Sequence, residues 1–248
     1  MKKNNNIKQN INKLLDRVII VLIVMIVISG VFLLLRKEEY NNTVNEVNDS
    51  KLDIKKEEIS VKDEIDELKK KYNNDEVIAI LNIDDEINTP VAQTNDNQFY
   101  LKKSLSLKKS VLGSVFMDYR VNKDSKQINI YGHNSTKYKP PFNTLEGYLK
   151  KDYFNEHRNI SLKIDNEVKK YEIFSIVLAD KKSTEEHMNL NYKKDSDWVK
   201  HFNRLKNRSI YKTNIELNEN DKVLVLQTCL FGKYKGKLMV VVARLVEE

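Results

Sequence analysis

The chain has 248 residues, 40% of them hydrophobic, with only three prolines and six glycines. That is enough for one sizeable domain with extensions, and it argues against a long disordered linker. The formal charge of +7 would suit a nucleic-acid binder, but residues 1–37 hold seven Lys/Arg and one acid while the remainder carries 36 basic and 35 acidic residues, so the excess is a membrane-topology signal and no nucleic acid is expected.

Residues 1–17 form the first segment, with Lys2, Lys3, Lys8, Lys13 and Arg17. Val18–Leu35 follows, 18 residues without a charge, close to the ~20 that cross a bilayer. The positive-inside bias predicts a single-pass anchor, the N-terminus in the cytoplasm and residues 36–248 outside. A cleaved signal peptide would have a shorter apolar core followed by small residues. Here Arg36-Lys37-Glu38-Glu39 follows, which favours an uncleaved anchor.

Residues 36–74 read as a spacer and a charged amphipathic helix. Tyr40–Ser50 is polar and Asn-rich. Across Lys51–Tyr72, Ile54, Val61, Ile65, Leu68 and Tyr72 are spaced seven, four, three and four apart, on one face of a helix. Two or three heptads are too few for a coiled-coil dimer.

The pattern changes at Asp75, where a domain spanning 75–248 begins. Val77–Ile83 is apolar and β-branched, and Asn88-Thr89-Pro90-Val91 reads as a turn into a second strand. Gly113–Met117 and Gln127–Tyr131 read as strands, and Phe142–Tyr153 as a short helix after the breaker pair Pro140-Pro141. Ile160–Ile164 and Val168–Leu178 form a hairpin about Asp165-Asn166-Glu167. Ser196–Asn207 is helical, with Trp198, Phe202 and Leu205 on one face, and Val223–Cys229 and Leu238–Val246 complete the strands. Many short strands with few helices predict a mainly β fold, a closed or nearly closed barrel with helical insertions.

Cys229 is the single cysteine, so no intrachain disulfide forms. A lone cysteine is ordinarily a small buried hydrophobe. This one sits at the tip of the apolar run Asp221–Phe231, where a nucleophilic thiol would need a nearby imidazole or cation to favour its thiolate. Of the four histidines, His157, His187 and His201 lie in a polar turn, a polar loop and a helix, as ordinary surface or packing residues do. His133 differs: Tyr131-Gly132-His133-Asn134 follows a strand directly, where a rigid sheet can hold a catalytic side chain. No Cys/His/carboxylate set has metal-ligand spacing, no Gly-rich phosphate loop occurs, and Gly-x-Ser-x-Gly is absent.

Several stretches agree, in order, with one known family. They are Val91–Leu101 (Val-Ala-Gln-Thr-Asn-Asp-Asn-Gln-Phe-Tyr-Leu), Gly113-Ser114-Val115-Phe116-Met117-Asp118-Tyr119-Arg120, Ile130-Tyr131-Gly132-His133-Asn134, Phe142-Asn143-Thr144-Leu145 and Leu226-Gln227-Thr228-Cys229. On these the sequence resembles the sortases, membrane-anchored cysteine transpeptidases of Gram-positive bacteria, and specifically class B, which carries an added helix just before the cysteine strand. The resemblance spans roughly Val77 to Val246 and implies a sortase-like closed barrel with Cys229 and His133 as catalytic residues.

Two departures accompany it. Val225 stands where the cysteine motif usually opens with Thr. Leu238 stands where the family places an arginine facing the cysteine, and Arg244 lies six residues further on, ~20 Å along an extended strand. Lys237, with Lys233 and Lys235 in the same loop, is the nearest positive charge in sequence, and is either the substitute or one of several solvated loop charges. Lysine is a point donor rather than a planar fork.

The resemblance implies that Cys229 attacks a threonine carbonyl in the C-terminal sorting signal of a secreted protein. Backbone N–H groups near Cys229 and Lys237 would stabilise the oxyanion, and His133 would protonate the leaving amine. The acyl group then passes to an amine of a peptidoglycan precursor, without a cofactor or metal. Asn97, Leu101 and Gln227 match positions that line the substrate groove. Three alternatives remain: a degenerate domain that binds sorting signals without turnover, a hydrolytic cysteine peptidase, and an L,D-transpeptidase, whose Ser-His-Gly-Cys signature differs from Leu-Gln-Thr-Cys here.

Overall fold

A computed structural model describes residues 2–52, 60–84, 86–183 and 188–247 in two units, Met1–Asn45 and Glu46–Glu248. The first unit is helical, built on α1 (Lys2–Asp49). Its apolar side chains from Val18 to Leu35 are exposed to the surroundings, and it is long and apolar enough to cross a membrane. Such a helix satisfies its own backbone groups in hydrocarbon. The stretch from Tyr40, expected as a spacer, remains helical to Asp49. Neither Gly nor Pro occurs between Val31 and Asp49, so nothing interrupts propagation of the helix.

In the second unit, α2 (Val61–Tyr72) begins at Ser60, whose hydroxyl accepts from Asp63 N at 3.1 Å, and ends at Asn73 in the left-handed conformation, φ 49°. These are ordinary start and stop devices. Ile65, Leu68 and Tyr72 are buried, as the helical spacing predicts. Ile54 lies outside the described residues.

Eight strands follow: β1 (Val77–Ile83), β2 (Ile87–Ala92), β3 (Phe116–Met117), β4 (Gln127–Tyr131), β5 (Asn159–Ile164), β6 (Glu167–Asp180), β7 (Val223–Cys229) and β8 (Lys237–Glu247). They close into a barrel in the order β1-β2-β3-β4-β7-β8-β6-β5. The β2–β3 and β4–β7 pairs are parallel and the others antiparallel. Helix α3 (Lys151–Glu156) follows a 3-10 segment, Pro141–Leu149, and α4 (Asp195–Arg208) precedes β7. Period-two alternation divides the apolar residues. Leu224, Leu226, Met239 and Val241 fill the barrel, while Val223, Val225, Val240 and Val242 face Trp198, Phe202 and Leu205 of α4.

Two local readings change. Asn88–Val91 is not a turn but part of β2; the turn lies before it, with Asp84 left-handed (φ 43°) and Glu86 N donating to Ile83 O. Pro90 is tolerated because it pairs with Ile80 on one side, while the β2–β3 pairing is only Ala92 with Phe116. The strand expected from Gly113 starts only at Phe116. Gly113 has φ +57°, and a side chain there would run into the Tyr100 carbonyl.

A buried carboxylate ties β4 to the turn after β3. Asp118 is fully buried and accepts from Arg120 Nε (2.9 Å), Arg120 Nη2 (2.7 Å) and Tyr131 Oη (2.8 Å). Burial alone would raise the Asp118 carboxyl, but the hydrogen bonds from Arg120 and Tyr131 outweigh it and hold it below the usual carboxylate range. The stabilisation is therefore complete above the ordinary aspartate value of about 3.9 and is lost as pH falls through the lower folded value. Asp118→Asn is expected to cost about 3 kcal/mol in urea unfolding near neutrality, with the deficit shrinking in acid. A pH-independent deficit would show that the charge is not the cause.

Candidate active site

Cys229 ends β7 and His133 follows β4 by two residues. The parallel register pairs Tyr131 with Gln227. His133 and Cys229 each lie two residues beyond that pair, so the ladder delivers both motifs to the same end of the barrel. Both side chains are half-buried, and the thiol is free. The 95 to 96 residues between the two motifs fold away into α3, β5, β6 and α4, so this meeting is purely tertiary.

Three hydrogen bonds extend the pairing beyond the strands. Gly132 N donates to Gln227 O at 3.2 Å, Thr228 Oγ1 to Gly132 O at 2.7 Å, and Asn134 Nδ2 to Cys229 O at 2.9 Å. Gly132 is required by contact: a Cβ there would sit 2.7 Å from the Phe142 ring. Phe142 is fully buried in the 3-10 segment that carries Asn143 and Glu146. Asn143 Nδ2 donates to Asn134 Oδ1 at 2.8 Å, and Asn134 Nδ2 also donates to Glu146 Oε1 at 2.7 Å.

His133 Nε2 lies 3.0 Å from Leu101 O. A carbonyl only accepts, so Nε2 carries the hydrogen, and in the neutral ring Nδ1 is the basic nitrogen. Leu101, expected in the groove, thus also holds the imidazole through its carbonyl. Asn97 is half-buried and accepts from Tyr119 N at 3.0 Å through Oδ1. Gln227 shares the strand face of Cys229, and its Oε1 is buried with no hydrogen-bond partner among the described residues.

Leu238 pairs directly with Cys229 across β7 and β8, and is buried. Lys237 is one residue earlier, so strand alternation sends its side chain to the opposite face. Its ammonium reaches Asp180 Oδ2 at 3.5 Å on β6. The structure holds His133 on the Leu101 carbonyl and joins its motif to the Cys229 carbonyl through Asn134, while the Lys237 side chain leaves the strand face of the thiol. Arg244 pairs with Val223 at the other end of β7, where its Nη1 donates to Glu216 O. The N–H of Leu230, one backbone group adjoining the thiol, is committed to Lys237 O at 3.0 Å.

The other described histidines have packing roles. His157 contacts Asp84 at 3.3 Å and packs on Tyr153, and His201 is buried on α4 against Phe202 and Tyr192. His187 lies outside the described residues. Asn134, Asn143 and Glu146 escaped the sequence reading. They stand inside or beside the matching motifs, but no spacing announces a side chain that bonds a carbonyl 95 residues away.

The profile of the sortase domain family matches residues 78–246, which include the whole barrel from Ile78 onward and both His133 and Cys229. Sortase B of Listeria monocytogenes is 29% identical over 236 residues, 89% of this chain and 94% of that protein. Sortase B of Staphylococcus aureus is 28% identical over 167 residues, 65% of this chain and 66% of that protein. The solved structure of Clostridium perfringens sortase B superposes with a TM-score of 0.67 at 28% identity, covering 73% of this chain and 99% of that one. Eight closed strands, a thiol and an imidazole at the ends of a parallel pair, and a match over most of the chain together make this protein a member of the sortase family of cysteine transpeptidases, in its class B.

Proposed function

We propose that the protein cleaves a C-terminal sorting signal of secreted proteins and joins the acyl group to an amine of a peptidoglycan precursor. The observation that carries this reading is the parallel β4–β7 register, which pairs Tyr131 with Gln227, each two residues before His133 and Cys229. The thiolate of Cys229 attacks the carbonyl carbon of a threonine, and the C–N bond to the next residue breaks. His133 delivers a proton to the departing amine. The thioester is then attacked by the acceptor amine, His133 takes the proton, and the thiolate leaves. Protonated His133 also supplies positive charge on the thiol's side as the oxyanion forms. Gln227, on the strand face of Cys229, and Asn97 are the proposed groove contacts for an extended peptide. The basic residues before Val18 favour an N-terminus in the cytoplasm and a barrel outside, where both substrates would meet the membrane.

Sorting-signal peptides mixed with the protein should give a mass increment on Cys229. An added amine should then divert the product from hydrolysis to the new amide. Binding without a thioester would instead identify a recognition module, and hydrolysis unaffected by amine would identify a peptidase.

The cation expected from Lys237 is the component the geometry supports least, because Asp180 holds it on the other face. Lys237→Ala is expected to change turnover by less than about threefold. A loss of tenfold or more in Lys237→Ala, together with a gain of turnover in Asp180→Asn, would restore Lys237 to the oxyanion.

A further inference from the structure

The geometry points to Asn134 as the residue that positions the thiol against the imidazole; the inference rests on the Cys229–His133 reading above. Asn134 is buried, and its amide has two hydrogens and one oxygen. One hydrogen goes to Cys229 O at 2.9 Å, the other to Glu146 Oε1 at 2.7 Å, and the oxygen accepts from Asn143 Nδ2 at 2.8 Å. A flipped amide would set its oxygen against a carboxylate and a carbonyl, both acceptors, so chemistry fixes the orientation.

The consequence lies at the Cys229–Leu230 peptide. Its carbonyl is held by Asn134 from the β4 side, and its N–H is held by Lys237 O from the β8 side. With both groups of that peptide pinned, the Cys229 backbone keeps its position and the thiol moves mainly by rotation about χ1. Because Asn134 adjoins His133 in the chain, the same side chain that pins Cys229 also ties it to the imidazole's own backbone. Asn143 and Glu146 act one step further out, by orienting the amide. Asn134 touches no reacting atom; it is a positioning residue. A displacement of about 1 Å between reacting groups costs roughly a hundredfold in favourable cases, so the effect is measurable.

The test uses the full chain in detergent micelles and iodoacetamide, since the single cysteine makes alkylation specific. Intact-mass spectrometry reads the rate from about pH 5 to 9, a range in which thiol and imidazole chemistry responds. Asn134→Ala is expected to slow alkylation at neutral pH by about tenfold and to change the shape of the pH profile. Glu146→Gln and Asn143→Ala keep the bond to Cys229 and should stay within about threefold, with the parent shape. A generally loosened fold would instead scale the profile without reshaping it.

If Asn134→Ala does not fold, Asn134→Asp combined with Glu146→Gln preserves the outer contacts and the net charge while leaving Cys229 O without its donor. The same slowing and reshaping are expected there. A parent-like profile in either folded variant, or an equal loss in Glu146→Gln, overturns the inference. His133→Ala separates this from the underlying reading: if it leaves the profile unchanged, the thiol–imidazole pair itself is wrong. If it alters the profile while Asn134→Ala does not, only the role of Asn134 falls.

Discussion

Cys229→Ala should remove acyl transfer to the background of any assay, a fall of about a million-fold or roughly 8 kcal/mol of transition-state stabilisation. The size follows from the chemistry. Without the thiol no thioester can form, and the chain has no second cysteine to substitute. The fold should survive, because the side chain is only half-buried and one sulfur atom is lost from a site open to solvent. Thermal unfolding of the alanine variant is therefore expected within a few degrees of the parent, which separates lost chemistry from lost structure. Mass spectrometry of the alanine variant with sorting-signal peptides checks the claim directly. Continued cleavage would mean that the nucleophile lies elsewhere.

His133 should carry the second-largest effect. Proton transfer by a positioned side chain contributes about 10²- to 10⁴-fold, and His133→Ala is expected to lower turnover by about a thousandfold. The geometry permits a sharper comparison. His133→Gln can still donate to the Leu101 carbonyl, now 3.0 Å from Nε2, but an amide cannot shuttle a proton at neutral pH. It should be almost as impaired as alanine. Near-parent turnover in the glutamine variant would reduce His133 to an anchor for the 99–101 turn and leave the leaving amine without its acid. Single-turnover kinetics of both variants would locate the loss, since slow acylation and slow deacylation should appear together if one imidazole serves both steps.

The barrel was largely legible in advance, and for a local reason. β1, β4 and β7 begin and end where the apolar β-branched runs do, and α4 extends its predicted helix by one residue at each end. The misreadings have local causes too. A proline suggested a turn at Asn88–Val91, and only the one-sided pairing of β2 shows why a strand accepts it. The helix beyond Arg36 was missed because a polar, Asn-rich stretch looks like a spacer until its lack of breakers is set beside the helix it continues.

By itself, the sequence determined the apolar N-terminal helix and the strand-rich domain, and its resemblance to the sortases singled out one thiol and one histidine. Each of these is a property of residues close together in the chain, where hydropathy, periodicity and motif order suffice. Tertiary structure alone decided which groups meet. The parallel β4–β7 pair brings the two motifs side by side at Tyr131 and Gln227, the Asn134 amide bonds the cysteine carbonyl, and the Leu101 carbonyl takes Nε2. Lys237, close to Cys229 in sequence, was turned away by a single step of strand alternation toward Asp180. A one-residue offset reverses the face of a strand, so nearness along the chain could not say whether that charge reaches the thiol.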